Sequence, residues 1–318
     1  MRRSEARLSA LGLGLALLLP AGAAGAYCRT SYCPSTDMTA AVCVPATGTD
    51  CGNVLFWANP CVGFSVQKDG SKKLGITAAE TEQIVKKAFD NWLSAECTGG
   101  GTPRMTVTMF AQAVCNKQEY NSAACNDNII MYDDDVWPYE GSANVLALTT
   151  VTYAKPSGEI YDADMELNSH DNHFTTGDTG VEFDLPSIVQ HETGHFLGLA
   201  HSQDPQAVMF PSYNPGTTSL RTLTADDVAG LCAVYPPGDI PSGCDPTPRH
   251  GFSLYCHDNQ PDCTGGGTES GGTNGCCSVA PGGDAPGRGI AALAAGIGVA
   301  LLSARRARAR RRDRSGKR

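Results

Sequence analysis

Positive charge is nearly absent from the body of this chain. Of 24 lysines and arginines in 318 residues, three fall at positions 2, 3 and 7 and ten after position 287, which leaves 11 in residues 27–287 against 31 aspartates and glutamates. A body with a net charge of about −20 has no basic surface that would displace counterions from a phosphate backbone, so no nucleic-acid partner is expected. The same excess keeps the protein soluble and leaves calcium a compatible ion. Histidine is missing before position 170, and cysteine is missing between positions 125 and 232. Cysteine-based zinc sites are thereby disfavoured in the stretch that holds most of the histidines. Long apolar runs are lacking too: the sixteen uncharged residues 289–304 fall short of the ~20 that cross a bilayer as a helix.

What is present divides the chain. Residues 1–26 read as a signal peptide, with Arg2, Arg3 and Arg7 as the basic start, residues 8–19 as the apolar core and Ala24, Gly25 and Ala26 as the small-residue cleavage site. All 14 cysteines follow it, which points to export into an oxidising compartment and to a disulfide framework. Residues 27–53 form a Cys-rich lead-in without periodicity. Residues 54–237 carry the alternations of a folded domain. Residues 238–283 are a linker rich in glycine, proline and cysteine, with at most a small disulfide knot, and residues 284–318 are an apolar and arginine-rich tail.

Within the domain, residues 61–67, 105–110, 128–132, 145–153 and 159–168 read as strands. Residues 77–96 read as an amphipathic helix: Thr77 caps it with Glu80 three residues on, and Ile84, Val85, Ala88, Phe89 and Trp92 repeat at helical spacing. Cys97, just past that helix, is a candidate partner for Cys61, and Cys115 for Cys125 across one polar loop. Asp133, Asp134 and Asp135 read as a solvated rim in preference to a calcium site.

The stretch DLPSIVQHETGHFLGLAHSQDPQAVMFPSY, residues 184–213, carries the chemistry. Asp184 as N-cap, Pro186 in the first turn and the apolar Leu185, Ile188, Val189 and Phe196 favour a helix. His191 and His195, four apart, project from one face of it and can ligate one small ion. Gly198 permits the positive φ that ends the helix and returns His201 as a third ligand. Three neutral imidazoles suit Zn²⁺ and leave its fourth position open, and Glu192 beside the first ligand can take a proton from water held there. The expected chemistry is metal-assisted hydrolysis. A lone HExxH arises by chance in many helices, but the extended HExxHxxGxxH is far rarer.

HETGHFLGLAHS followed by Met209 resembles the metzincin metallopeptidases, and Ser202 after the third histidine, Met209 eight residues beyond it and the order Met209, Pro211, Tyr213 resemble their matrixin branch, here of bacterial type. The resemblance implies an α/β fold of the α+β metzincin kind: a twisted mixed sheet with two long helices, the second bearing the site, then a small C-terminal subdomain with the Met-turn. It implies a secreted or surface-anchored zinc metalloendopeptidase acting on proteins or peptides. His191, His195 and His201 would hold the metal, Glu192 would be the catalytic base, and Gly198, Met209, Pro211 and Tyr213 would support the site. Residues 145–153 would be the edge strand above the cleft, able to bind an extended peptide as an added strand. The capping signature of Thr224 and Asp227 marks the closing helix at residues 223–231.

The sequence departs from the family in two respects. No PRCGxPD motif precedes the domain, and the second, structural zinc of animal matrixins has no histidines to hold it, so His170 and His173 read as a solvated loop. Gly275, Cys276 and Cys277 ahead of an apolar stretch and arginines resemble the tripartite sorting tails of myxobacterial surface proteins, so membrane association is expected only through the tail. The alternative to a peptidase is a catalytically inactive zinc-binding surface protein, which the intact Glu192 disfavours. Oligomeric state leaves no signature.

Overall fold

The computed structural model describes residues 27–31, 53–139, 144–259 and the backbone of 297–300. The expected signal peptide, most of the lead-in and the rest of the tail lie outside the described residues. In chain order the elements are β1 (Cys28–Arg29), β2 (Cys61–Val66), α1 (Ala78–Leu93), β3 (Thr106–Met109), β4 (Ile129–Tyr132), β5 (Val145–Tyr153), β6 (Ile160–Leu167), β7 (Phe174–Thr175), β8 (Phe183–Asp184), α2 (Leu185–Phe196), β9 (Leu199–Ala200), α3 (Ala225–Val234) and β10 (Ile297–Ala300). The main sheet runs β10-β5-β6-β4-β2-β3. β3, β2, β4 and β6 are mutually parallel, and β5 is antiparallel to β6, with Thr149 opposite Met165. The mixed α/β architecture is that expected. β5 is not the outermost strand that was expected: residues 297–300 pair antiparallel with it on the side away from β6 and occupy that edge.

Period-two alternation sends Phe64, Val66, Ile130, Met165 and Leu167 to the core face, where both long helices cover them. Phe89 of α1 joins the layers: its ring stacks 4.8 Å from Phe64 and meets Phe196 of α2 edge-on at 5.1 Å. Thr77 caps α1 by accepting from the Glu80 amide at 3.1 Å. In α3, Thr224 and Asp227 form the reciprocal capping box. α1 stops at Leu93, short of the expected 96, where the Ser94 amide turns back onto the carbonyls of Asp90 and Trp92.

The disulfides correct two expectations. Cys61 pairs with Cys244 and Cys97 with Cys232, while Cys115 pairs with Cys256 and not with Cys125. Neighbours in sequence are passed over because segments from beyond residue 230 arrive at each site: α3 brings Cys232 to the end of α1, and the chain after it folds back over the sheet's outer face. Residues 244–256, read as linker from composition, are therefore pinned to that face. Asn126 bridges to Phe252, and Cys256 shares a small buried cluster with Ala113, Cys115, Ile129 and Met131.

Candidate active site

Helix α2 begins at Asp184, whose carboxylate accepts from the Ser187 amide at 3.0 Å and, bidentately, from Arg221 Nε (2.8 Å) and Nη2 (2.5 Å). At its far end the carbonyls of Phe196 and Leu197 are taken by Trp57 Nε1 (2.8 Å) and the Tyr235 hydroxyl (3.0 Å). The helix is thus held from three separate parts of the chain and is buried on almost every side. Gly198 follows with φ 91°, and the carbonyl of Leu55 leaves no room there for a Cβ.

The turn at Gly198 brings His201 back to His191 and His195, with one ligand nitrogen of each within 4.8 Å of the others. Carbonyls orient two of the rings: Val208 O lies 2.6 Å from His191 Nδ1 and Leu199 O lies 2.8 Å from His195 Nδ1. Each is thereby the Nδ1–H tautomer with Nε2 free to ligate. The two Nε2 atoms stand 3.0 Å apart, and His201 Nε2 is buried without a partner among the described residues. Burial depresses all three imidazoles, helped at His195 and His201 by neighbouring rings; His191 falls to about 4 and His201 to about 3. Three neutral, converging, unsatisfied nitrogens fit a divalent ion of the zinc type.

Glu192 is fully buried beside them. Its Oε2 accepts from the Thr149 hydroxyl of β5 at 2.7 Å, and its Oε1 has no partner among the described residues. Burial pushes this carboxyl up to about 8, against the opposing pull of the Thr149 hydrogen bond. A carboxylate with one oxygen tied back and one open beside a cation site can accept a proton from water.

Met209 lies beneath α2. Its Sδ would stand 2.2 Å from a Cβ placed on Gly194, so this glycine is what lets the sulfur approach the helix. Asp227 fixes that turn, accepting from the amides of Val208 (2.9 Å) and Met209 (3.0 Å) as well as capping α3. Tyr213 is buried; its hydroxyl accepts from the Asp184 amide at 2.9 Å and donates to the Thr217 carbonyl. Pro211 is half-buried two residues before it. His170 and His173 are exposed, facing Asp171 and Glu182.

The matrixin family model matches residues 56–236. The chain belongs to the matrixin family. The domain is similar to neutrophil collagenase of Homo sapiens (29% identity over 184 residues, 54% of this chain and 34% of that protein). It is also similar to Matrix metalloproteinase-16 of Homo sapiens (29% over 197 residues, 60% and 29%) and to Metalloendoproteinase 1-MMP of Arabidopsis thaliana (38% over 183 residues, 57% and 44%). The chain spans less than half the length of each of these relatives. In a zinc-using family, the three converging histidines are the candidate zinc site of this matrixin domain.

Sequence reasoning passed over three residues at the site. Asp227 was recognisable only as a cap, since its contacts to the Met209 turn are made across the fold. Thr149 lies in a strand whose register on α2 no local pattern reveals. Asp184 was legible as a cap but not as the partner of Arg221. Among the acidic residues outside the site, Asp134 accepts from Ser71 and Ser169 (2.6 Å each) and the Lys73 amide (3.0 Å), which satisfies it within the loop. Asp127 and Asp162 differ: both are buried on the outer face of the sheet, and none of their carboxylate oxygens has a hydrogen-bond partner among the described residues.

Proposed function

We propose that this matrixin is a zinc metalloendopeptidase that hydrolyses peptide bonds in exported or extracellular proteins. The observation that carries the reading is the meeting of three neutral Nε2 atoms with a buried carboxylate that has one open oxygen. His191, His195 and His201 hold the metal. Zinc bound there supplies positive charge that polarises the scissile carbonyl and acidifies a nearby water. Glu192 Oε1 takes that water's proton as the oxygen attacks the carbonyl carbon, and the same carboxyl then protonates the leaving amine. Gly198 shapes the return of the third ligand, Met209 floors the site, and Pro211 and Tyr213 flank the pocket beside the cleaved bond. An extended peptide adds to β5 in the place that residues 297–300 occupy; that the chain's own segment pairs there supports this docking mode.

Export through the N-terminal segment and retention at the cell surface through the Arg-rich tail complete the reading. Support comes from the cysteines: all eight among the described residues are disulfide-bonded. The acidic body remains compatible with calcium, and residues 133–135 are a solvated rim in this reading.

The test uses the full secreted chain. It should hold one zinc and cleave an unfolded protein such as casein, with loss on chelation. Glu192→Gln should keep the metal and lose cleavage by roughly 10²- to 10⁴-fold, the range for a general base. His195→Ala should lose both. Zinc binding with no cleavage across a broad peptide library would favour the inactive zinc-binding alternative. Recovery of the protein only from the cytosol would count against export.

A further inference from the structure

We infer that Thr149 is the positioning residue of the general base: its hydroxyl holds Glu192 Oε2 so that Oε1 is the oxygen presented to the reaction. The inference rests on the peptidase reading above and deepens it. Thr149 is fully buried in the middle of β5, opposite Met165 of β6, and it shares the core-facing side of the strand with Ala147 and Val151. Threonine on that side needs a reason, because its flanking core positions are apolar and its hydroxyl must find an acceptor away from water. The acceptor is the Glu192 carboxylate, 2.7 Å from Oγ1, with the Glu192 backbone carbonyl at 3.3 Å as a weaker second choice.

Three consequences follow from the geometry. The carboxylate has two oxygens, and the hydroxyl satisfies only one; the other stays buried without a donor. Rotation about the terminal bond of Glu192 away from this angle breaks the Thr149 hydrogen bond, and a half-turn only exchanges two equivalent oxygens, so one open oxygen is kept in one place. When Glu192 is ionised to act as base, the hydroxyl donates to a charged acceptor in a buried site, where such a bond is stronger than one between neutral groups. The strand that carries Thr149 is also the strand proposed to carry the peptide. Thr149 therefore ties the base to the element that sets the height of the scissile bond above α2.

The role is separable from folding. Thr149→Val keeps the β-branched shape and volume and deletes only the hydroxyl; Thr149→Ser keeps the hydroxyl and deletes a methyl. In the full-length protein, Thr149→Val should retain one zinc per chain and an unchanged KM within about twofold. Its kcat should fall about 10- to 100-fold, the equivalent of one hydrogen bond to a charged group. Thr149→Ser should restore kcat to within a few-fold of wild type. Zinc content measured by atomic absorption supplies the readout independent of turnover. Wild-type kcat in Thr149→Val would overturn the inference. So would Thr149→Ser as slow as Thr149→Val, since shape alone would then matter, or loss of zinc in step with loss of rate. Failure of the wild-type protein to cleave anything would instead sink the peptidase reading, so the two failures are distinguishable.

Discussion

Gly194, in the last turn of α2, permits a decisive perturbation. On helix propensity alone, Gly194→Ala should stabilise the protein by about 1 kcal/mol, because glycine loses more backbone freedom on folding. The structure predicts the opposite sign. The added methyl would stand 2.2 Å from Met209 Sδ and 3.0 Å from both Met209 Cε and Trp92 Cζ2, distances at which something must move. Met209 has little freedom to move: it is 2% exposed, and its amide is held by Asp227 at 3.0 Å. Trp92 is pinned by its own indole nitrogen to the Gln190 carbonyl at 2.8 Å. Overpacking of this kind costs about 1–3 kcal/mol, so the net change is a loss of up to about 2 kcal/mol after the helical gain. For a domain of this size that lowers the melting midpoint by several degrees, at about 2–4 °C per kcal/mol. Calorimetry of the zinc-free protein reads it without interference from the metal. Met209→Ala alone should cost about 2–5 kcal/mol by opening a cavity, yet the double variant should be more stable than the sum of the singles, because the methyl then fills part of that cavity. A Gly194→Ala protein that melts higher than wild type, or strict additivity in the cycle, would refute the packing argument.

The zinc-free protein should lose stability as pH falls. His191 has a folded-state value of about 4 against an ordinary 6.5, so its contribution is fully present above about 6.5 and is lost as pH drops toward 4; His201, at about 3, acts in the same sense. Denaturant midpoints measured between pH 7 and pH 4 should fall by an amount equivalent to a few kcal/mol, and a flat profile would show that the imidazoles are not buried in the neutral form. The buried carboxyls of Asp127 and Asp162 are raised instead, chiefly by burial, so what they contribute is present at low pH and lost as pH rises, unless a cation neutralises them.

The site was legible because its information is local. His191, Glu192 and His195 share one helical face, and the glycine that returns His201 stands three residues past His195, so spacing alone brings the three histidines together. The long strands and the caps at Thr77, Asp184 and Thr224 were legible for the same reason: alternation and side-chain-to-amide bonds operate within a few residues. The disulfides were not. Cys97 finds Cys232 across 135 residues and Cys61 finds Cys244 across 183, and such pairings depend on where the last helix and the returning segment lie in space. Thr149 was hidden for a related reason, since its partner is 43 residues away on another layer.

The returning segment bears on how the molecule can be shortened. The family match stops at residue 236, and a recombinant form trimmed there would look complete by homology. It would nevertheless leave Cys61 and Cys115 as thiols without their natural partners, one at the start of a central strand and one beneath the outer face of the sheet. In an oxidising secretory pathway, stranded thiols of that kind exchange with other disulfides or link chains together. The smallest unit that refolds to a single species should thus extend past Cys256, some twenty residues beyond the point where resemblance to the relatives ends.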